Sequence, residues 1–344
     1  MKAEIVRSVR AVPVADWDRL ARHASVYLSH RWLAGEESDP TATASYALVR
    51  DEADTLVAAA PLYLVHDEPN AYYRPTHLAP ATARPRVLAG ARRGYHNTPL
   101  TDPRLPDDLA AQCLTLLREA ARDHAERHGT THWWPYLTES ATHMLAPLYA
   151  TPPHRMEDDA TIPLPGAGFD DYLASLPSKR RVAIRHERAA FAAAGLDIRH
   201  QPLIDCYEDA GRLLAALQRS HGHADDAAAM THVLERQAVA MGEQARVVAA
   251  HAGPRMTGFC LYYHQGGTTW LRAVGIDPEH PAPFAYFALT YYAPIEDAYR
   301  RGSTALHAGM KAVEAKRRRG ARISGLYALH DTETDTQAAA STLH

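Results

Sequence analysis

The chain has 344 residues, an apolar share of 46% and a formal net charge of −3, which excludes a polycationic nucleic-acid binder and wholesale disorder and leaves one large or two medium globular domains. Its three cysteines, Cys113, Cys206 and Cys260, are far apart and lack metal spacing, so reduced, mostly buried thiols are expected. No apolar run reaches bilayer length, and Met1-Lys-Ala-Glu-Ile-Val-Arg has no signal-peptide core, so a soluble cytoplasmic protein is expected.

In chain order, Asp16 to His23 predicts a short helix that continues toward Ser29-His-Arg-Trp-Leu-Ala34. Tyr46-Ala-Leu-Val-Arg50 and Leu56 to Val65 are apolar runs around an acidic turn, the pattern of a β-hairpin. Pro61 predicts an edge or a bulge in the second of these strands. Arg86-Val-Leu-Ala89 reads as a strand and Ala91 to Pro99 as a loop. Asp107 to His128 carries Leu109, Cys113, Leu116, Leu117 and Ala120 at helical spacing, and Thr131 to Leu137 reads as a strand.

The second half repeats this order. Arg246 to His251 and Met256 to His264 form a hairpin, Thr268 to Gly275 a strand, Phe284 to Arg301 a helix and Thr304 to His307 a strand. A recurring strand–strand–strand–helix–strand pattern, at a period of about 175–200 residues, predicts two copies of one α/β lobe. Chance likeness of two ordinary α/β segments is the alternative. The lobes are expected over 1–165 and 166–335, with 336–344 a disordered tail.

Between the copies, Phe169 to Pro177 reads as a short helix, and Ser178 as the cap of a long one ended by Gly195. Its first turn holds Lys179, Arg180 and Arg181, where the helix dipole opposes cations, so an anionic ligand is expected nearby. Apart from Lys2, the remaining lysines are Lys311 and Lys316, within His307-Ala-Gly-Met-Lys-Ala-Val-Glu-Ala-Lys-Arg-Arg-Arg-Gly320. Ammonium retained in two short segments of an arginine-rich chain points to a compact or titratable charge wanted there; solvated basic faces are the plain alternative. Asp205 to Arg219 and Asp225 to Met241 read as further helices. His221-Gly-His223 with Asp225-Asp226 is too loosely spaced for a metal site, and no metal is expected.

Phe169-Asp-Asp-Tyr-Leu-Ala-Ser-Leu-Pro-Ser-Lys-Arg-Arg-Val-Ala-Ile-Arg-His-Glu-Arg188, Tyr291-Tyr-Ala-Pro-Ile-Glu-Asp-Ala298 and the set Gly309, Lys316, Arg319, Gly320 resemble the Fem-like peptidoglycan biosynthesis/recognition branch of the GNAT acyltransferase superfamily. Ser29-His-Arg-Trp-Leu33, Leu56 to Leu64, Asn97-Thr-Pro99 and His330 extend the resemblance over most of the chain. It implies an α/β (α+β) fold of tandem duplicated GNAT-like lobes, each a mixed, mostly antiparallel sheet flanked by helices. The chain departs from the branch at Tyr286, Ala288 and Lys311-Ala-Val-Glu314, so a diverged acceptor pocket is expected and a cell-wall role is not carried over.

The resemblance implies acyl transfer to an amine. Acyl-CoA members of the superfamily cradle pyrophosphate on a glycine-rich turn at a helix start. Ile276-Asp-Pro-Glu-His-Pro-Ala-Pro283 is proline-rich and acidic instead. The expected donor is therefore the family's other class, aminoacyl-tRNA, with a CoA thioester as the alternative and no bound cofactor. Lys179, Arg180, Arg181, Arg185, Arg317, Arg318 and Arg319 are the expected contacts to tRNA phosphates.

Aminolysis of an ester needs an unprotonated amine and a stabilised oxyanion, and no covalent nucleophile. Lys316 is the candidate cation beside the donor ester or its terminal phosphate, an exposed turn lysine being the alternative. His307 is the candidate proton acceptor, a satisfied core histidine the alternative. Arg272, Tyr291, Tyr292, Trp134 and Asn97 are the candidate acceptor contacts; a salt bridge for Arg272 and core packing for the aromatics remain open. The expected activity is an aminoacyl-tRNA-dependent N-acyltransferase acting on a small-molecule or peptide amine, in natural-product biosynthesis. An acyl-CoA N-acyltransferase and a non-catalytic GNAT-fold scaffold are the alternatives.

Overall fold

The computed structural model describes residues 1–68, 70, 73–74, 86–220, 226–280 and 282–331. The His221-Gly-His223 loop with Asp225 and the expected tail 336–344 lie outside the described residues. Asp226, at the edge of that loop, caps a helix, its carboxylate accepting from Ala229 N (2.6 Å). The described residues form two compact units: Met1–Asp158 with the returning residues 324–331, and Asp159–Ile323.

In the first unit the order is β1 (Lys2–Val6), α1 (Val14–Ala21), α2 (His30–Glu36), β2 (Ala42–Arg50), β3 (Leu56–Val65), β4 (Val87–Ala89), β5 (Leu100–Thr101), α3 (Asp107–Arg127), β6 (His132–Leu137) and α4 (Glu139–Leu145). Strands β1, β2, β3 and β4 pair antiparallel in sequence, and β6 joins β4 in parallel. A parallel step needs a crossover, and α3 supplies it. That helix starts behind Pro106 with Asp107 and Asp108 in its first turn, and turns Cys113, Leu114, Leu117 and Ala121 onto the sheet. Trp134, Leu137 and, from β3, Ala58 and Ala60 belong to the same core.

Pro61 lies in a central strand and not at an edge. Its neighbour on one side is Tyr46 of β2, and on the other β3 is paired in two pieces, at Leu62–Leu64 by β4 and at Ala58–Ala59 by β5. The missing N–H of Pro61 falls in the gap between those pieces, while its carbonyl accepts from Gly90 N (2.8 Å).

The second unit replays the order. β7 (His154–Pro163) leads in from the first unit. After it come α5 (Phe169–Ala174), α6 (Ser178–Ala192), β8 (Asp197–Pro202), α7 (Tyr207–Ser220), α8 (Ala227–Met241), β9 (Arg246–Ala252), β10 (Arg255–Gln265) and β11 (Thr268–Ile276). A helical segment follows, Ala285–Phe287, a π-helical stretch Ala288–Tyr292 and α9 (Ala293–Arg300), then β12 (Ala305–Met310) and α10 (Val313–Arg317). Strands β8 to β11 pair antiparallel, and β12 joins β11 in parallel. In each unit a strand from elsewhere in the chain is added beside the last of these. Residues 159–163 of β7 lie antiparallel on β12, and β13 (Arg322–His330) returns to lie antiparallel on β6. The duplicated, mostly antiparallel fold expected from the sequence is the fold observed.

A buried polar clasp holds the returning strand in the first unit. His132 Nδ1 lies 3.2 Å from Asp331 and its Nε2 2.8 Å from the Tyr149 hydroxyl, while Arg118 donates to Asp331 (2.7 Å). Burial pushes the His132 pKa down to about 4, against the opposing pull of Asp331. The folded pKa thus lies below the unfolded one, so the contribution is whole above pH 6.5 and lost as pH falls toward 4. Between pH 6.5 and 5 the first unit is expected to lose about 2 kcal/mol through this group. Urea denaturation at the two pH values, repeated with His132→Gln, reads the difference.

Candidate active site

The site is built from α6, the start of the 285–300 helical segment and the loop carrying α10. Pro177 precedes α6, and Ser178 is its first residue, making no side-chain cap. Only Ile184 of this helix is buried. Of its first-turn cations, Arg181 turns back to donate to the Leu176 carbonyl (2.7 Å), Lys179 is exposed and Arg180 is half-buried. Arg185 is exposed. Arg180, Ala183, Ile184 and Glu187 recur at helical spacing and line one wall of a pocket of about 340 Å³. Glu314, Ala315, Arg318 and Arg319 line the facing wall, and Phe287 completes it.

After β12 the chain reverses through Lys311 and Ala312, both in the left-handed region (φ 62° and 46°), an uncommon choice for non-glycine residues. Lys316 secures this turn. Its ammonium donates to the carbonyls of Gly309 (2.7 Å) and Met310 (2.6 Å), and the residue is 5% exposed. Burial lowers its pKa to about 8, partly offset by Asp159. The free cation expected at Lys316 is therefore not there: a side chain with three donors spends two of them on backbone carbonyls. Lys316 ties the strand end to α10 and does not line the pocket.

Arg319 is the charged group buried at the wall. Its Nη2 donates to Glu187 Oε2 and its Nη1 to the Ala315 carbonyl, both at 2.9 Å. The guanidinium lies 3.6 Å from the centre of the Phe287 ring, a cation–π contact. The Tyr292 hydroxyl donates to the same Glu187 oxygen, and Tyr172 donates to the Arg319 carbonyl (3.0 Å). Burial, reinforced by Glu187, raises the Tyr292 pKa, so this hydroxyl stays protonated. Adjacent Tyr291 and Tyr292 are both buried because the whole π-helical stretch 288–292 is enclosed, every residue of it being buried.

The remaining expected residues lie elsewhere. His307 is buried on β12, its Nε2 2.9 Å from both oxygens of Asp159 on β7 and its ring 4.4 Å from that of Trp270 and tilted to it by 43°. It is buried and does not line the pocket. Strands β11 and β12 are in register only from Thr268↔Ala305 to Trp270↔His307; Arg272, half-buried, sits just past the point where they part. Arg317 is exposed, and exposed Arg318 reaches Glu314 one turn back (3.4 Å). Trp134 and Asn97 belong to the first unit. Trp134 is core, and Asn97 is spent on backbone, accepting from Ala91 N (3.0 Å) and donating to the Pro135 carbonyl (2.9 Å). Both residues are fully buried.

Glu187, Glu314 and Phe287 had no assigned role in the sequence. Their signal was present for Glu187, an acid inside a basic helix and in helical phase with Arg180. Asp277, Glu279 and His280 bring ligand atoms within 4.8 Å of one another, but Arg255 already holds Asp277 (2.7 Å) on this outer loop, which argues against a metal there.

The duplicated, mostly antiparallel sheet and the parting of β11 and β12 define a tandem GNAT-like fold. The profile of the FemAB-like family, described as peptidoglycan biosynthesis/recognition, matches residues 8–341, and the chain belongs to that family. Among curated proteins, none matches the sequence significantly. Three solved structures illustrate the fold. FemX has a TM-score of 0.66 at 11% identity, over 95% of this chain and 97% of its own. The C-terminal domain of a lysylphosphatidylglycerol synthetase from Agrobacterium fabrum has 0.58 at 10%, over 95% and 94%. A tandem GNAT protein from the clavulanic acid biosynthesis pathway has 0.54 at 13%, over 96% and 98%. No helix among the described residues is long and apolar enough to cross a membrane.

Proposed function

We propose that the protein transfers the aminoacyl group of an aminoacyl-tRNA to the amine of a small molecule or peptide, in natural-product biosynthesis, with the charged end of the donor seated in the groove between α6 and α10. The groove itself carries this reading: Arg180 and Arg318 stand at its walls, and buried Arg319 stiffens it. Lys179 and Arg185 extend the positive face outward along an otherwise solvated helix. The segment between β11 and the following helix supports a tRNA donor over acyl-CoA. There Asp277 accepts from the backbone N–H of Glu279 (3.0 Å), Pro278 and Pro283 offer no N–H, and Phe284 adopts φ 56° before the helix begins, which leaves fewer amides for a pyrophosphate cradle than a glycine-rich turn would offer.

The chemistry asks little of the protein beyond positioning. The acceptor nitrogen attacks the ester carbonyl, the tetrahedral oxyanion collapses, and the terminal ribose hydroxyl leaves with the proton the nitrogen gives up. Lys316 acts here as a positioning residue, fixing the loop that carries Arg318 and Arg319. A tRNA donor would put the reaction in the cytoplasm.

Product formation in a cell extract is expected to stop on RNase treatment. Binding of bulk tRNA should weaken with salt, and Arg180→Ala and Arg318→Ala should each lower the slope of log K against log salt by about 1. RNase-insensitive turnover with acetyl-CoA would overturn this in favour of an acyl-CoA donor, the reading to which the parting of β11 and β12 lends support.

A further inference from the structure

We infer that Glu187 recognises a free α-ammonium on the transferred acyl group, while Arg180, on the same face of α6, takes the phosphate of the nucleotide that carries it. The inference rests on the donor reading above and deepens it. Glu187 is held by one oxygen only: Oε2 receives both the Tyr292 hydroxyl and Arg319 Nη2. Two donors on one oxygen fix the plane of the carboxylate, and Oε1 has no hydrogen bond among the described residues. This residue forms part of the groove wall. Arg180 likewise has no acid partner among the described residues and lines the same wall.

Separation and sign then narrow the ligand. From Arg180 to Glu187 the helix rises about 10 Å, close to two turns, with both side chains on one face. An extended aminoacyl ester spans about that far from its α-nitrogen to the 5′-phosphorus of its nucleotide. A simple acyl group would lay carbon against an anionic oxygen that has lost water and gained no donor, which is costly. An α-ammonium gives that oxygen a charge-assisted bond instead. The groove therefore selects aminoacyl over plain acyl donors, and selects against N-blocked aminoacyl groups.

Titration calorimetry on the full chain tests this with hydrolysis-resistant 3′-aminoacylamino-3′-deoxyadenosine 5′-monophosphates carrying glycyl, alanyl or seryl groups. Each is compared with its N-acetyl counterpart. At least one free-amine compound is expected to bind about tenfold or more tighter than its N-acetyl form. Glu187→Gln should erase that difference, and Arg180→Ala should weaken both forms equally. Gln keeps an oxygen for Arg319; should the variant not fold, the wild-type comparison alone decides. Equal binding of free and acetylated forms overturns the role of Glu187 and leaves the nucleotide donor standing. Binding of acetyl-CoA with none of the six compounds overturns the donor reading itself.

Discussion

Replacing Arg319 with alanine is expected to cost about 4 kcal/mol of stability in the second unit, the range for breaking a buried ion pair from one side. Arg319 is 4% exposed, and its guanidinium meets Glu187, the Ala315 carbonyl and the face of Phe287 together. Alanine strands the Glu187 carboxylate beside the Tyr292 hydroxyl with no cation and opens a cavity against Phe287. Arg319→Lys keeps the charge but not the fork, and loses either the acid or the carbonyl, so it should recover less than half of the loss. Arg319→Met with Glu187→Gln should be milder than Arg319→Ala, because no charge is then left unpaired. Urea denaturation of the set gives the ranking. A loss below about 1 kcal/mol for Arg319→Ala would mean that the pair is screened by water as a surface bridge is.

Most of what the sequence disclosed was periodic. Helix α3 and the two hairpins have long apolar patterns, and the replay of strand, strand, strand, helix, strand is visible in both units. Strand β8 was missed because Asp-Ile-Arg-His-Gln-Pro has no apolar alternation; it lies at the end of its sheet, paired only with β9, and its first three residues are exposed. Strand β7 was missed because its first half is polar and its pairing partner, β12, lies far along the chain. Pro61 misled because the two-piece pairing of β3 cannot be seen locally.

The candidate site was legible as a region and misread in its parts. The basic helix and the Lys316–Gly320 loop do meet across one groove. Their charges are assigned differently from expectation. The lysine that stood out by its rarity turns inward to backbone carbonyls, and Arg319 provides the buried cation, paired with an acid on α6. Rarity marked Lys316 correctly as a constrained position, but composition cannot distinguish a group that contacts substrate from one that holds a turn closed. Adjacent Tyr291 and Tyr292 pose the same difficulty, since every residue of 288–292 is buried and the stretch has no exposed face from which a period could be read.

The second large effect concerns pH and Lys316. Its folded pKa of about 8 lies below the ordinary value of 10.5 because the ammonium is buried. Below pH 8 the folded chain carries the full cost of a buried charge. Between pH 8 and 10.5 the unfolded chain still binds a proton that the folded chain has released, so stability rises with pH across that window. The gain is about 3 kcal/mol when the window is crossed. Other groups titrate there too, so the quantity to measure is the difference between the wild type and Lys316→Met. That difference should move by about 2 kcal/mol in favour of the wild type from pH 7.5 to 10 in urea denaturation. Parallel curves would show that the carbonyls of Gly309 and Met310 hold the ammonium charged throughout, outweighing burial. The loop would then be clamped by a permanent cation, and its closure would not depend on pH.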